Sequence, residues 1–124
     1  MRVLVIDDSR AMLAILRKIM SEVGFEVITA SNGREGLQKL EENVAEIQLA
    51  LVDWNLPEMN GYDFVCTVRS NPAFEGVKLI MVTTETEHEN MAKALDAGAD
   101  EYVMKPFTAA TIIEKLELLG IKAG

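Results

Sequence analysis

Cysteine, histidine and tryptophan each occur once in this chain of 124 residues, and proline three times. The lone Cys66 cannot close an internal disulfide. It falls beside Val65 and Val68 in an expected helix, where it reads as a small, reduced core residue. The only histidine, His88, stands between Glu87 and Glu89 near an expected helix start and reads as a solvated helix end, so a phosphohistidine transfer protein is not indicated. Basic residues are also scarce. Twelve Lys and Arg face twenty Asp and Glu, a formal charge of −8. Nucleic acid and anionic membranes both demand a basic patch, so this balance argues against either as a partner and suits a cation site or a basic protein. No apolar run approaches the ~20 residues of a membrane span, and no charged-then-apolar leader opens the chain. The expectation is a cytoplasmic protein. Neither the Walker pattern nor the dinucleotide glycine pattern occurs, which leaves nucleotide binding without support.

What is present is an ordinary globular composition, 49% hydrophobic and 26% charged, ample for one domain across residues 1–124. Short runs rich in Val, Ile and Leu predict strands at 2–6, 26–30, 48–52, 78–82 and 101–104. Between them the apolar spacing turns helical. Met12, Ile15, Leu16, Ile19, Met20 and Val23 mark one buried face, with Gly24 as the stop. Further helices are predicted at 34–42, 62–70, 89–97 and 109–119, the last with Thr108 as its cap and Ile112, Ile113, Leu116 and Leu119 inward. Strand and helix alternate five times. Parallel strands need crossovers, crossovers are right-handed, and the outcome is an α/β doubly wound sheet covered on both faces. Such folds place their sites beyond the carboxyl ends of the strands.

Those ends carry the chemistry. Asp7 and Asp8 follow the first strand, Asp53 the third, Thr83 the fourth and Lys105 the fifth. Taken singly each has a bland explanation: Asp8 or Ser9 as a helix cap, Asp53 as a turn residue, Thr83 as a strand end, Lys105 as a solvated charge. Their convergence on one rim outweighs those explanations. Three carboxylates together need a cation, and all-oxygen ligands suit Mg²⁺ with phosphate oxygens completing its shell. That combination indicates phosphoryl chemistry, with one carboxylate as a nucleophile that forms an acyl phosphate and with the lysine and hydroxyl on the other phosphoryl oxygens.

The segments "IDDS", "VDWNLPEMNGYD", "VTTE" and "KPFT", in that order, resemble the receiver domain of two-component response regulators, most of all the single-domain chemotaxis regulators of CheY type. The resemblance runs over essentially the whole chain. It implies a flavodoxin-like five-stranded parallel sheet of order 2-1-3-4-5 with five helices. It implies that Asp53 accepts a phosphoryl group from a histidine kinase. Asp8 would hold Mg²⁺ directly, Asp7 mainly through water, and the backbone carbonyl of Asn55 would be a further ligand beside Asp53. Lys105 would pair with the phosphoryl group, next to a Lys105–Pro106 bond that is cis in the family. Thr83 would close on a phosphoryl oxygen, and Tyr102 matches the aromatic that turns inward as it does so. Asn55, Thr84 and Glu85 occupy positions that tune access and phosphoryl lifetime. The output face would be the fourth helix, fifth strand and fifth helix, read by a target such as a flagellar motor switch protein, with a phosphatase as a further partner and a monomer as the expected state. Asn60 stands where the family often has aspartate, without an expected chemical effect. Pro57 and Gly61 fit turn geometry, and Gly61 is expected to permit a backbone conformation closed to other residues. A receiver from stress or cell-cycle signalling and a non-phosphorylated interaction module are the nearest alternatives. A flavodoxin-like redox protein would need a hydroxyl- and glycine-rich loop where "DDSRAM" stands. An aspartate-based phosphatase would need an acid at Asn55.

Overall fold

The structure, a computed structural model, describes residues 1–84 and 88–121. Five strands, β1 (Arg2–Ile6), β2 (Glu26–Ala30), β3 (Ile47–Val52), β4 (Lys78–Thr83) and β5 (Glu101–Met104), pair in parallel in the order β2-β1-β3-β4-β5. The helices α1 (Arg10–Val23), α2 (Gly33–Glu42), α3 (Gly61–Arg69), α4 (His88–Ala97) and α5 (Ala109–Leu118) cross between them or close the chain. One short 3₁₀ turn, Pro72–Phe74, was not apparent in the sequence pattern; the Asn71 side chain caps it.

Alternate strand residues feed two cores, as the pleat requires. Leu4 and Ile6 of β1 pack with Leu40 of α2, Phe64, Val65 and Val68 of α3 and Ala94 of α4. Val3 and Val5 face the other way, onto Leu16 and Met20 of α1 and Ile112 and Leu116 of α5. Each such Leu or Ile taken fully out of water contributes about 1.5–3 kcal/mol.

The helix ends follow from local chemistry. Ser9 caps α1 by accepting from the Met12 N–H at 3.2 Å, and Gly24, at φ 116°, ends it in the left-handed region that glycine occupies freely. Asn32 accepts from Glu35 N–H at 2.8 Å while the Glu35 carboxylate reaches back to Ser31 N–H, a reciprocal cap. Thr108 caps α5, as expected.

Three expectations are corrected. Ile15 and Ile113 are 48% and 38% exposed rather than inward, because the buried stripes centre on Leu16–Met20 and Ile112–Leu116, leaving their neighbours at the stripe edge. Cys66 is half-buried on α3 instead of lying in the core. Gly61 is needed for space, not for an unusual backbone angle: a Cβ there would meet the Asp53 carbonyl oxygen at 2.4 Å. The positive φ in that loop belongs to Glu58 (66°), in a three-residue turn closed by Met59 N–H on Pro57 C=O at 2.7 Å.

Candidate phosphoacceptor and metal site

The sheet grows from β1 to β2, then reverses to β3, so the crevice between β1 and β3 is the topological switch point. Ile6 and Val52 are register partners, which brings the next residues, Asp7 and Asp53, side by side. Asp7 N–H donates to Ala30 C=O at 3.1 Å and Asp53 N–H to Ile6 C=O at 3.0 Å, so both backbones are still held by the sheet. On the other flank Thr83 pairs with Met104, and the next residue's N–H, from Lys105, donates to Thr83 C=O at 2.9 Å. Four strand ends thus aim five side chains at one crevice.

Asp7, Asp53 and Thr83 are buried, at 1%, 6% and 0% exposure, while Asp8 stands at the mouth. Carboxylate oxygens of Asp7, Asp8 and Asp53 all lie within 4.8 Å of one another. Lys105 reaches in with Nζ 2.8 Å from Asp7 Oδ2 and 3.5 Å from Asp53 Oδ2. The ammonium is therefore seated closer to Asp7 than to Asp53. Backbone N–H groups complete the carboxylates: Ser9 donates to Asp7 Oδ1 at 2.9 Å and Asn55 to Asp53 Oδ1 at 3.3 Å. Asp53 also shares a side-chain hydrogen bond with Thr83.

Burial pushes the Asp53 carboxyl above its ordinary value of 3.8. Lys105 opposes this most strongly, Asp7 reinforces it, and the hydrogen bonds from Thr83 and Asn55 oppose it further. Net of these influences the anion is disfavoured. With all groups ionised, three carboxylates and one ammonium leave two negative charges in the crevice, the complement of one divalent ion. The oxygen set fits such an ion. Mg²⁺–O bonds of ~2.1 Å put opposite ligands ~4.2 Å apart, so oxygens within 4.8 Å need only small side-chain adjustments to close on it.

The remaining candidates are placed as follows. The Lys105–Pro106 bond is cis, as the resemblance implies. Tyr102 is 7% exposed and packs inward, in the cluster that holds Met81 and Ala94. Asn55 and Thr84 are exposed beside the crevice, and Glu85 lies outside the described residues. Asn60 has a role that its sequence position did not suggest: its side chain accepts from Asp63 N–H at 2.8 Å and caps α3, which begins the element behind the acceptor loop. The signal for it was present, since asparagine three residues before an acid is a helix-start pattern. Two further residues escaped the sequence reading. Tyr62 lies against Trp54 with ring centroids 5.9 Å apart, and Lys93 of α4 sits over the Tyr62 ring at 4.4 Å. Nothing in one sequence shows a pair joined across two helices.

No helix among the described residues is long and apolar enough to cross a membrane. A family model for the response regulator receiver domain matches residues 3–117. The chain is 42% identical to chemotaxis protein CheY1 of Helicobacter pylori over 120 residues, which is 96% of each chain. It is 39% identical to a chemotaxis protein CheY homolog of Campylobacter jejuni, over all of this chain and 96% of the other. Among solved structures, chemotaxis protein CheY4 of Vibrio cholerae superposes with a TM-score of 0.86 at 32% identity, covering 94% of this chain and 96% of that one. With the family model spanning nearly its full length and relatives alike from end to end, the chain belongs to the response regulator receiver domain family.

Proposed function

We propose that this protein is a phosphoacceptor switch of a two-component system in which Asp53 takes a phosphoryl group from a histidine kinase. The observation that carries the reading is the crevice itself: three carboxylates within 4.8 Å, with Lys105 Nζ 2.8 Å from one and 3.5 Å from another. Asp53 is the acceptor because it is central, buried and in contact with both Lys105 and Thr83. An Asp53 oxygen attacks phosphorus, the P–N bond to the donor imidazole breaks, and the imidazole leaves with a proton. Lys105 moves from Asp7 toward the new phosphoryl oxygens, and the Thr83 hydroxyl donates to another. Asp7, Asp8, the Asp53 carboxylate and the Asn55 carbonyl would hold Mg²⁺, which when bound neutralises charge on the transferring group. The protein acts as a switch and not as an enzyme on other substrates, catalysing only its own phosphoryl transfer and hydrolysis. Asn55 and Glu85 suit a short-lived phosphorylated state.

The two curated relatives named above are chemotaxis proteins, at 42% and 39% identity over 96% of each, and this favours chemotaxis as the pathway. The partners are then a histidine kinase, a phosphatase and a target of the flagellar motor switch type, met in the cytoplasm by a monomer through α4, β5 and α5. The test is intact mass after incubation with Mg²⁺ and a small phosphoryl donor. One phosphoryl group should add to the protein, none to Asp53→Asn, and none when chelator replaces Mg²⁺. Unmodified mass under all conditions would overturn the reading and leave an interaction module.

A further inference from the structure

Helix α4 is anchored without a fully buried large side chain among its described residues. Among its described residues only Ala94 is fully buried, with Met91, Asn90 and Ala97 partly so, whereas α3 buries Phe64, Val65 and Val68. An alanine removes little apolar surface from water, so the orientation of α4 depends heavily on whatever else ties it down. One such tie crosses to α3. Lys93 lies over the face of Tyr62 at 4.4 Å, and the Tyr62 ring lies against Trp54 at 5.9 Å with the planes inclined by 33°. Trp54 directly follows Asp53, and Gly61, one residue before Tyr62, donates its N–H to Trp54 C=O at 2.8 Å. A Cβ at Gly61 would meet the Asp53 carbonyl oxygen and the Trp54 Cα, so α3 begins pressed against the acceptor residue's own backbone. An open groove of roughly 510 Å³ runs along this contact, lined by Tyr62, Glu89, Ala92, Lys93, Asp96 and Ala97, so α4 has room to shift relative to α3.

We infer that Trp54, Tyr62 and Lys93 form a latch that couples the acceptor loop directly to α4, separately from the route through Thr83 and β4. This inference rests on the phosphoacceptor reading and specifies how that site would be heard at α4. Any displacement of the acceptor loop on phosphorylation moves Trp54, and with it the ring on which Lys93 rests. A cation over an exposed ring biases an equilibrium by about two- to fivefold, enough to matter for a helix with so few buried anchors. The latch is specific in its chemistry. It needs a cation at position 93 and an aromatic face at position 62; the tyrosine hydroxyl is dispensable for it.

The experiment is amide hydrogen exchange over residues 88–97 of the full chain, with Mg²⁺, before and after addition of a small phosphoryl donor, with intact mass read on the same samples. Lys93→Met and Tyr62→Leu should each speed exchange of α4 in the unmodified protein by about two- to fivefold and shrink the further change on phosphorylation. Lys93→Arg and Tyr62→Phe should behave as the parent protein, which a loss of packing or of general stability would not reproduce. If Lys93→Met takes up the phosphoryl group normally and its α4 exchanges as in the parent in both states, the latch is overturned while the phosphoacceptor reading stands. If the parent protein takes up no phosphoryl group, the reading falls and the latch falls with it.

Discussion

Both ends of the sheet carry buried or half-buried charge, and they are built on opposite rules. At the amino-terminal end guanidinium groups are surrounded by acceptors. Arg2 pairs with Glu26 at 3.2 Å and with Glu46, and donates to Asn43 Oδ1 at 3.0 Å. Arg69 donates to the carbonyls of Gly98, Phe74 and Val77 at 2.9, 3.2 and 2.7 Å and to Asp100 Oδ2 at 2.9 Å, while the same Asp100 oxygen accepts from Leu79 N–H at 2.8 Å. At the carboxyl end the balance is more one-sided and more deeply buried: three carboxylates share one ammonium, and two of the three are almost wholly out of water. Cationic charge fully supplied with acceptors fastens loops to strands. Charge buried in excess is what a cation could balance, at a standing cost to the metal-free protein.

The largest effect should come from removing a matched charge. Arg69→Met deprives three carbonyls and one carboxylate of their donor, and should cost about 2–4 kcal/mol of stability in denaturant unfolding at neutral pH. A loss below ~1 kcal/mol would mean that Arg69 is no better than a surface pair. Removing an unmatched, exposed charge should cost the fold little and the site much. Asp8 is exposed, so Asp8→Asn should leave the metal-free protein within ~0.5 kcal/mol of the parent. Its Mg²⁺ affinity, followed by Trp54 fluorescence, should fall about 10- to 100-fold, since one of three carboxylates is gone. An unchanged titration would place the ion elsewhere.

The same contrast separates what the sequence makes legible from what only the fold reveals. The alternation of apolar runs with helical spacing was enough for a doubly wound parallel sheet, because parallel strands need crossovers and each strand's ends are marked by turn residues, whereas the order 2-1-3-4-5 came only from the resemblance to receiver domains. The site was legible for the same reason: Asp7, Asp53, Thr83 and Lys105 are each the last residue of a strand or the first beyond one. Its pairing was not. That Lys105 sits nearer Asp7 than Asp53 depends on a difference in distance of less than an ångström, set by packing across 98 residues of chain. Arg69 was invisible as well, since its acceptors are mostly backbone carbonyls, which carry no sequence signature. Gly61 looked like a turn glycine, and only the contact with Asp53 C=O shows why the site needs it.

Asp53→Asn sharpens the contrast further, through pH. Because burial raises the Asp53 pKa above 3.8, the native state holds its proton more tightly than the unfolded chain does. The carboxylate's cost is therefore absent below 3.8, grows as pH rises through the window up to the raised native value, and is complete above it. Metal-free Asp53→Asn should then be more stable than the parent at pH 7, by something on the order of 1 kcal/mol, the usual yield of relieving strain at a functional site. Thermal unfolding should show the gap closing as pH is lowered toward the ordinary carboxylate range. Saturating Mg²⁺ should also narrow the gap at pH 7, because the parent gains binding energy that the variant has partly lost. A variant less stable than the parent at pH 7 without metal would show that Lys105 and Thr83 more than offset the burial.

The smallest effect belongs to the matched pairs that water already reaches. Arg2 is 30% exposed in its side chain, and its partners Glu26 and Glu46 are 68% and 55% exposed. Pairs of that kind contribute about 0–1 kcal/mol, and salt screens them. Arg2→Met keeps the aliphatic stem at the amino-terminal end of the sheet while removing the charge, so the loss should stay under ~1 kcal/mol and shrink further in 1 M salt. Arg69→Met, whose acceptors are mostly carbonyls shielded from solvent, should keep most of its larger cost at the same ionic strength. If the two variants lost stability equally and responded equally to salt, burial would not be what separates these two arginines. The division between fastening charge and working charge would then have to rest on the sign and excess of charge at the two ends of the sheet alone.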